Sequence, residues 1–166
     1  MTRTRLDTSR FVVFTLDGLF YAVSLSVVSR VIRAVEIRPL PKAPSIVLGV
    51  INLGGRIIPV VNIRKRFRLP ERELELTDQL IVARASRSNA NADGGRLLAL
   101  AVDEVVGMRD LSPQETVAAE TILSGLEHLE GVAKTDQGLI LIHDLGTFLS
   151  LEEESAVGEV LPEGTQ

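Results

Sequence analysis

The chain has no cysteine among its 166 residues, which excludes disulfides, thiolate metal sites and cysteine nucleophiles. It has no tryptophan, one tyrosine and only 4% aromatic residues, so its core must rest on Val, Ile, Leu and Ala. No apolar run approaches the roughly 20 residues needed to span a bilayer. Met-Thr-Arg-Thr-Arg at the start lacks the apolar stretch of a signal peptide. The expectation is a soluble cytoplasmic protein with no direct membrane insertion. With 18 Lys and Arg against 22 Asp and Glu, the net charge of −4 argues against nucleic acid as a partner, because phosphate contacts dominate that affinity.

Hydrophobic residues make up 45% of the chain, and 13 Gly and 7 Pro separate them into short runs. That is the pattern of an all-β protein with many turns, long enough for one domain or two small lobes. The most informative stretch is Gly49-Val-Ile-Asn-Leu-Gly-Gly-Arg-Ile-Ile-Pro-Val-Val-Asn-Ile-Arg64. Apolar runs 46–53 and 57–61 flank Gly54-Gly55, and a type I′ hairpin turn needs positive φ at both central residues. Asp17-Gly18 joins runs 11–16 and 19–23 in the same way. Pro59 cannot donate to a ladder, which predicts an edge strand or a local irregularity. Asn62 ends the strand and stands where it would cap the next turn.

A related layout returns later. Gly131 lies 82 positions after Gly49, and Asp144 lies 82 after Asn62. Ala101-Val102-Asp103 follows Ala22-Val23-Ser24 at a spacing of 79. Such offsets suggest one module of about 80 residues used twice, with a groove between the copies. Ser24 predicts the cap of a short helix over 25–30, followed by a strand over 31–37 and a crossing loop held by Pro39, Pro41 and Pro44. A helical turn is expected over 63–67, strands over 77–85, 96–102 and 105–111, a polar loop over 86–95, and a last hairpin from 127–135 to 139–143. Asp144 would cap a final helix to about residue 151. Strands this short need closure to hide their edges, so two small five-stranded barrels packed together, with a third apolar layer between them, are the expected fold.

Chemistry is hard to find. His143-Asp144 resembles half of a relay, but neighbouring strand residues point to opposite faces, and His128 sits in a Glu-rich stretch. There is no phosphate loop, HExxH or GxSxG. The sequence therefore assigns no catalytic residue, no cofactor and no metal, and an enzyme is not expected. Arg64, Lys65, Arg66, Arg68 and Arg72 are interleaved with a single aromatic, Phe67. A single-strand-binding groove needs more, and the cluster reads as a solvated face beside Glu71, Glu73 and Glu75.

The Gly49–Arg64 hairpin closely resembles the CheW-like domain of bacterial chemotaxis adaptors, whose pattern runs roughly G-V-x-N-L-R-G-x-I-x-P-V-x-D-L-R. The likeness extends from Phe11-Val-Val-Phe-Thr-Leu through Tyr21-Ala-Val and Ala101-Val102-Asp103-Glu-Val105 to Leu139-Ile-Leu-Ile-His-Asp-Leu. It implies a single domain over 11–151, with flexible tails 1–10 and 152–166, made of two CheW-like β-barrel lobes with short helices. It further implies a non-catalytic adaptor that couples the cytoplasmic tip of methyl-accepting chemoreceptors to the regulatory domain of a CheA-type histidine kinase, recruited to membrane-associated receptor arrays. A receptor helix would enter an apolar cleft between the lobes. That groove would comprise Val28 and Arg30 on the first helix, Gly49, Asn52 and Gly54 near the hairpin, and Val105 and Met108 on the other side. Two positions depart from the family: Gly54 replaces a usual Arg, and Arg30 replaces a common acidic residue. A lone cation there would change partner choice and points to a specialised array. The alternatives are a CheW-like adaptor of a non-motility pathway (gene regulation, surface growth or twitching) and, from another class, an oligonucleotide-binding barrel.

Overall fold

Both turn signals form hairpins with the backbone the sequence demands. Gly54 and Gly55 have φ of 60° and 92°, and Asp17 and Gly18 have 54° and 78°, the positive values of a type I′ turn. The computed structural model describes residues 9–85, 96–122 and 129–145. The expectations for residues 1–8, for the 86–95 loop, for 127–128 including His128, for the helix after Asp144 and for the tail 152–166 lie outside the described residues.

In chain order the strands are β1 (Ser9–Leu16), β2 (Leu19–Ser24), β3 (Val28–Arg33), β4 (Val47–Leu53), β5 (Arg56–Val61), β6 (Gln79–Ala85), β7 (Arg96–Val102), β8 (Glu104–Leu111), β9 (Thr116–Ala118), β10 (Leu129–Thr135) and β11 (Gly138–His143). Two single-turn helices, α1 (Ile63–Arg66) and α2 (Ala119–Ile122), follow β5 and β9. One sheet has the order β8-β1-β2-β11-β10-β9 and the other β3-β6-β7-β5-β4; they are called lobe 1 and lobe 2 below.

Each sheet closes on itself by the same device. In lobe 2 the chain leaving β3 continues to Arg38, which exchanges two backbone hydrogen bonds of 2.9 Å with Val50 of β4. In lobe 1 the chain leaving β8 turns through Pro113–Glu115 and becomes β9, which pairs with β10. One bent stave, β3 with its continuation to Arg38 in lobe 2 and β8 with β9 in lobe 1, thus borders both ends of each sheet, and each lobe is a five-staved barrel. The turn in lobe 1 is held by Ser112, whose backbone N–H donates to the Glu115 carboxylate at 3.0 Å, half of a capping box.

The spacing of 82 reappears in the ladders. Val47 pairs with Val61 and Gly49 with Val60 across a one-residue register shift; Leu129 pairs with His143 and Gly131 with Ile142 across another. Lobe 1 is not a continuous piece of chain, because lobe 2 takes the consecutive strands β3 to β7 and is set between β2 and β8. β3 leaves β2 of lobe 1 and joins β6 of lobe 2, while β8 leaves β7 of lobe 2 and joins β1 of lobe 1. Each half of the chain thus gives its first two strands to one lobe and the rest to the other: β1 and β2 stay in lobe 1 while β3 to β5 build lobe 2, and β6 and β7 complete lobe 2 while β8 to β11 return to lobe 1.

The period-2 alternation of the strands sorts their side chains into three apolar layers. Val13, Ala22, Leu111, Ala133, Ile140 and Ile142 fill lobe 1. Ile51, Ile58, Val60, Leu80, Val82 and Ala99 fill lobe 2. The opposite faces of the same strands meet between the lobes, where Phe14, Leu16 and Val23 pack with Val61, Ile81 and Leu100. The third layer expected from the sequence is therefore present.

Two local expectations are corrected. The segment after Ser24 is helical only over Leu25–Val27, as a 3-10 turn capped by the Ser24 hydroxyl, and Val28 already begins a strand. The β-branched pairs Val27-Val28 and Val31-Ile32 disfavour helix and fit the pleat. The strand expected over 31–37 accordingly spans Val28–Arg33. Pro59 lies in an interior strand, not at an edge. It is tolerated because Val50, opposite it on β4, turns its own N–H and C=O to Arg38, and pairing of β5 with β7 starts only at Val60.

Candidate functional site

The seam between the lobes carries a charge network beside its apolar layer. Arg64, on α1, is almost fully buried. Its guanidinium donates to Asp17 Oδ1 at 2.6 Å, to both carboxylate oxygens of Asp103 at 2.7 and 2.9 Å, and to the Pro70 carbonyl at 2.9 Å. Arg72 bridges Asp103 at 2.6 Å and Asp78 at 2.8 and 2.9 Å. Asp17 belongs to the β1–β2 turn of lobe 1, and Asp103 stands where β7 of lobe 2 passes into β8 of lobe 1. The network pins the crossover. Arg64 and Arg72 therefore do not belong to the solvated basic face expected from the sequence. Burial by itself would lower the Arg64 pKa, but hydrogen bonds to Asp103 and Asp17 raise it above the ordinary value. Burial likewise works to raise Asp103, and is outweighed by hydrogen bonds from Arg64 and the Asp17 amide and by the two cations, so its pKa is lowered.

Four rings stack through the same seam. Phe14 and Tyr21 have centroids 5.9 Å apart, Tyr21 and Phe67 5.1 Å, and Phe67 and His143 4.1 Å. His143 is buried at the end of β11. Phe67, at the end of α1, thus ties lobe 2 to lobe 1 through aromatic contact. Among the described residues no group of His, Asp or Glu is arranged to hold a metal ion. No helix there is long and apolar enough to cross a membrane.

A model of the CheW-like domain matches residues 10–153. This chain belongs to that family. It is 32% identical over 146 residues to the chemotaxis protein CheW of Thermotoga maritima, covering 88% of this chain and 89% of that one. It is 25% identical over 146 residues to the CheW of Treponema pallidum, covering 87% and 84%. The crystal structure of the scaffolding protein TtCheW from Thermoanaerobacter tengcongensis matches with a TM-score of 0.75 and 27% identity, over 87% of this chain and 94% of that one. Membership makes the protein a non-catalytic scaffolding adaptor of the chemotaxis type.

The seven residues assigned to the CheW-like groove separate into three places. Val28 is paired with Ala83, Val105 with Phe14 and Met108 with Val12. All three partners belong to the layer between the lobes, so Val28, Val105 and Met108 border the seam. Met108 is 63% exposed there, and Val31, opposite Ile81 on β3, is 37% exposed. Asn52 and Gly54 lie at the hairpin end of lobe 2, the end at which β3 begins, so Arg30 stands there too, one ladder rung from Val28 and next to Val31. Arg30 is on a strand and not a helix, is exposed, and makes no ion pair among the described residues. Asn52 spends its side-chain oxygen on the Gly55 N–H at 2.9 Å. Gly49 is buried under the closing stave of the barrel, against Arg38, where it serves backbone approach and offers a partner nothing.

The open apolar cleft expected between the lobes is not there. Phe14, Leu16, Val23, Val61, Ile81 and Leu100 leave no exposed surface in it, because the two faces are shaped from the same strand alphabet and interdigitate. What remains exposed at its rim is Met108 on β8 and Val31 on β3. A separate cleft of about 490 Å³ opens beside the charge network, between Ile37, Leu48 and Leu74 on one side and Arg64, Arg72 and Asp78 on another. Its charged wall does not suit an apolar helix. Sequence reasoning missed Arg64 and Asp103 as a pair, although both stand in the family-like segments. The available signal was that an Arg ending one such segment and an Asp in the other have opposite charge and no other assigned work.

The lowered Asp103 pKa has a definite pH signature. A carboxylate with a depressed folded-state pKa contributes stability that is full above its unfolded value and is lost as pH falls through the folded value. Asp103→Asn should therefore lower the melting temperature at neutral pH. The gap from wild type should narrow as pH drops from about 5 downward. Thermal melts of both proteins across that range check it; a gap independent of pH would count against the network.

Proposed function

We propose that this adaptor couples the cytoplasmic tip of a methyl-accepting chemoreceptor to the regulatory domain of a CheA-type histidine kinase. The observation that carries the reading is the apolar strip along the seam. Met108 and Val31, with Val28 and Val105 behind them, sit on the two crossing strands β8 and β3. An amphipathic receptor helix would lay its stripe on this rim, with Met108 as the adaptable contact. Because β3 belongs to lobe 2 and β8 to lobe 1, a helix seated on both would touch both lobes at once. Its docking would then bias the geometry presented to the kinase. The protein would work in the cytoplasm, brought to the membrane by the receptor. Arg30, which makes no ion pair among the described residues, and glycine at 54 support a specialised pairing with its own receptor or kinase. The stacked rings Phe14 and Tyr21 are buried in the seam, which leaves few rings for bases and disfavours the oligonucleotide-binding alternative.

Met108→Asp is expected to weaken binding of a receptor cytoplasmic fragment by about tenfold or more, as loss of an interface anchor does, while binding of the kinase regulatory domain changes little. Titration calorimetry with each partner reads both. Unchanged receptor binding in Met108→Asp would remove the rim from the reading.

A further inference from the structure

The cleft beside the charge network has no part in the adaptor reading. It lies at the end of lobe 2 away from the β4–β5 turn, where β5 and β7 finish and β6 begins. Its volume of about 490 Å³ is that of a small-molecule site. Ile37, Leu48 and Leu74 supply its apolar lining. Leu74 belongs to the segment between α1 and β6, and that segment is held in place. Arg72 fastens it to both carboxylate oxygens of Asp78, and the Glu75 N–H donates to the same carboxylate at 2.7 Å. The lining is therefore preformed, and a ligand need not order it.

Asn62 opens into this space with an unused acceptor. The residue expected to cap α1 makes no capping bond with its side chain. Its amide nitrogen donates to Glu71 Oε1 at a long 3.4 Å. A carboxylate can only accept, so this contact fixes the amide with its oxygen turned away from Glu71. That oxygen makes no hydrogen bond among the described residues, yet it is not sealed in the interior. Asn62 as a whole is only 9% exposed, and it lines the cleft. An acceptor this deeply placed favours a donor, because leaving it unpaired costs free energy.

Charge selects the kind of donor. Arg64 and Arg72 also line the cleft, but their terminal nitrogens are committed to Asp17, Asp78, Asp103 and the carbonyls of Pro70 and Glu73. Three carboxylates face these two cations, so an anion would meet no spare terminal donor there. Glu73 lines the cleft with an exposed side chain that makes no ion pair among the described residues. The groups left open are thus acceptors, one of them charged.

We propose that this cleft binds a small organic cation, an alkyl amine or guanidine. Its N–H groups meet Asn62 Oδ1 and the Glu73 carboxylate, and its apolar body rests on Ile37, Leu48 and Leu74. The inference rests on the lining of the cleft and does not depend on receptor or kinase binding.

Titration of the full chain with n-hexylamine, followed by two-dimensional amide NMR, tests it. Hexylamine should bind with a Kd of about 1 mM or tighter, within reach of a ligand of its size, and shift the amides of Asn62, Glu73 and Leu74. Hexanoate has the wrong charge and methylamine no apolar body, so each should bind at least about tenfold more weakly. Asn62→Ala should weaken hexylamine about tenfold, the loss of a hydrogen bond to a charged group. Glu73→Gln should weaken it about threefold to fivefold, as an exposed ion pair does, and its exposed site keeps the test valid if Asn62→Ala melts early. A lysine with both backbone ends capped as amides should bind less well than hexylamine, because its amides would meet the apolar lining. Hexanoate as tight as hexylamine, variants that bind like wild type, or shifts centred elsewhere would overturn the proposal. Tighter binding of the capped lysine would overturn it in favour of a partner protein's side chain.

Discussion

Gly49→Ala should destabilise the protein by roughly 3–5 kcal/mol, the range of severe backbone and packing conflicts, and lower its melting temperature by roughly 10 °C for a domain of this size. Gly49 has φ +154°, and a Cβ placed there would overlap the Arg38 carbonyl oxygen and lie 2.8 Å from Ile37 Cγ2. Neither neighbour can retreat, because Arg38 makes the two hydrogen bonds that close lobe 2 on Val50. Gly131 holds the matching place in lobe 1, where an added Cβ would lie 2.8 Å from the Val117 carbonyl oxygen. It has no left-handed backbone to lose. Gly131→Ala should therefore cost only about 1–2 kcal/mol, a moderate overpacking. Urea titrations of the two variants side by side measure the difference. Equal effects would mean that backbone conformation at Gly49 contributes nothing, and a Gly49→Ala protein as stable as wild type would mean that closure is looser than described.

Arg64→Met should cost about 3 kcal/mol, as removal of one partner from a buried ionic cluster does. It would leave Asp17 without its cation, Asp103 with Arg72 as its cation, and the Pro70 carbonyl without its Arg64 donor. Arg64→Lys should recover only part of the loss, since an ammonium cannot serve three acceptors spread around a planar fork. The double change R64M/D17N should be more stable than Arg64→Met alone, because the carboxylate left without a cation goes with it. Chemical denaturation of the three variants distinguishes a cluster that acts as a unit from independent surface pairs, which would give changes near 0–1 kcal/mol.

The local architecture was legible because hairpin and strand signals are local. Gly54-Gly55 and Asp17-Gly18 require positive φ whatever surrounds them, and the spacing of 82 between Gly49 and Gly131 marks matching register shifts in two ladders. The segment after Ser24 was misread as helix because a cap residue followed by a polar–apolar mix suits a short helix as well as a turn. Only the pairing of Val28–Arg33 with β6 settles it as strand. The solvated reading of Arg64 failed for a different reason. A run of basic residues looks solvated until the fold brings Asp17 and Asp103, 47 and 39 positions away, to the same side chain.

The sequence by itself determined an all-β chain of short closed strands, without catalytic groups and with CheW-like segments from end to end, because turn chemistry, β-branched runs and missing residue types act over a few neighbours. Tertiary structure alone decided that the chain crosses to the second lobe before β3 and returns before β8, and that the space between the barrels is filled so that only its rim stays apolar and open. Those outcomes depend on which distant strands pair, and pairing energy is set by contacts that no local stretch of sequence contains.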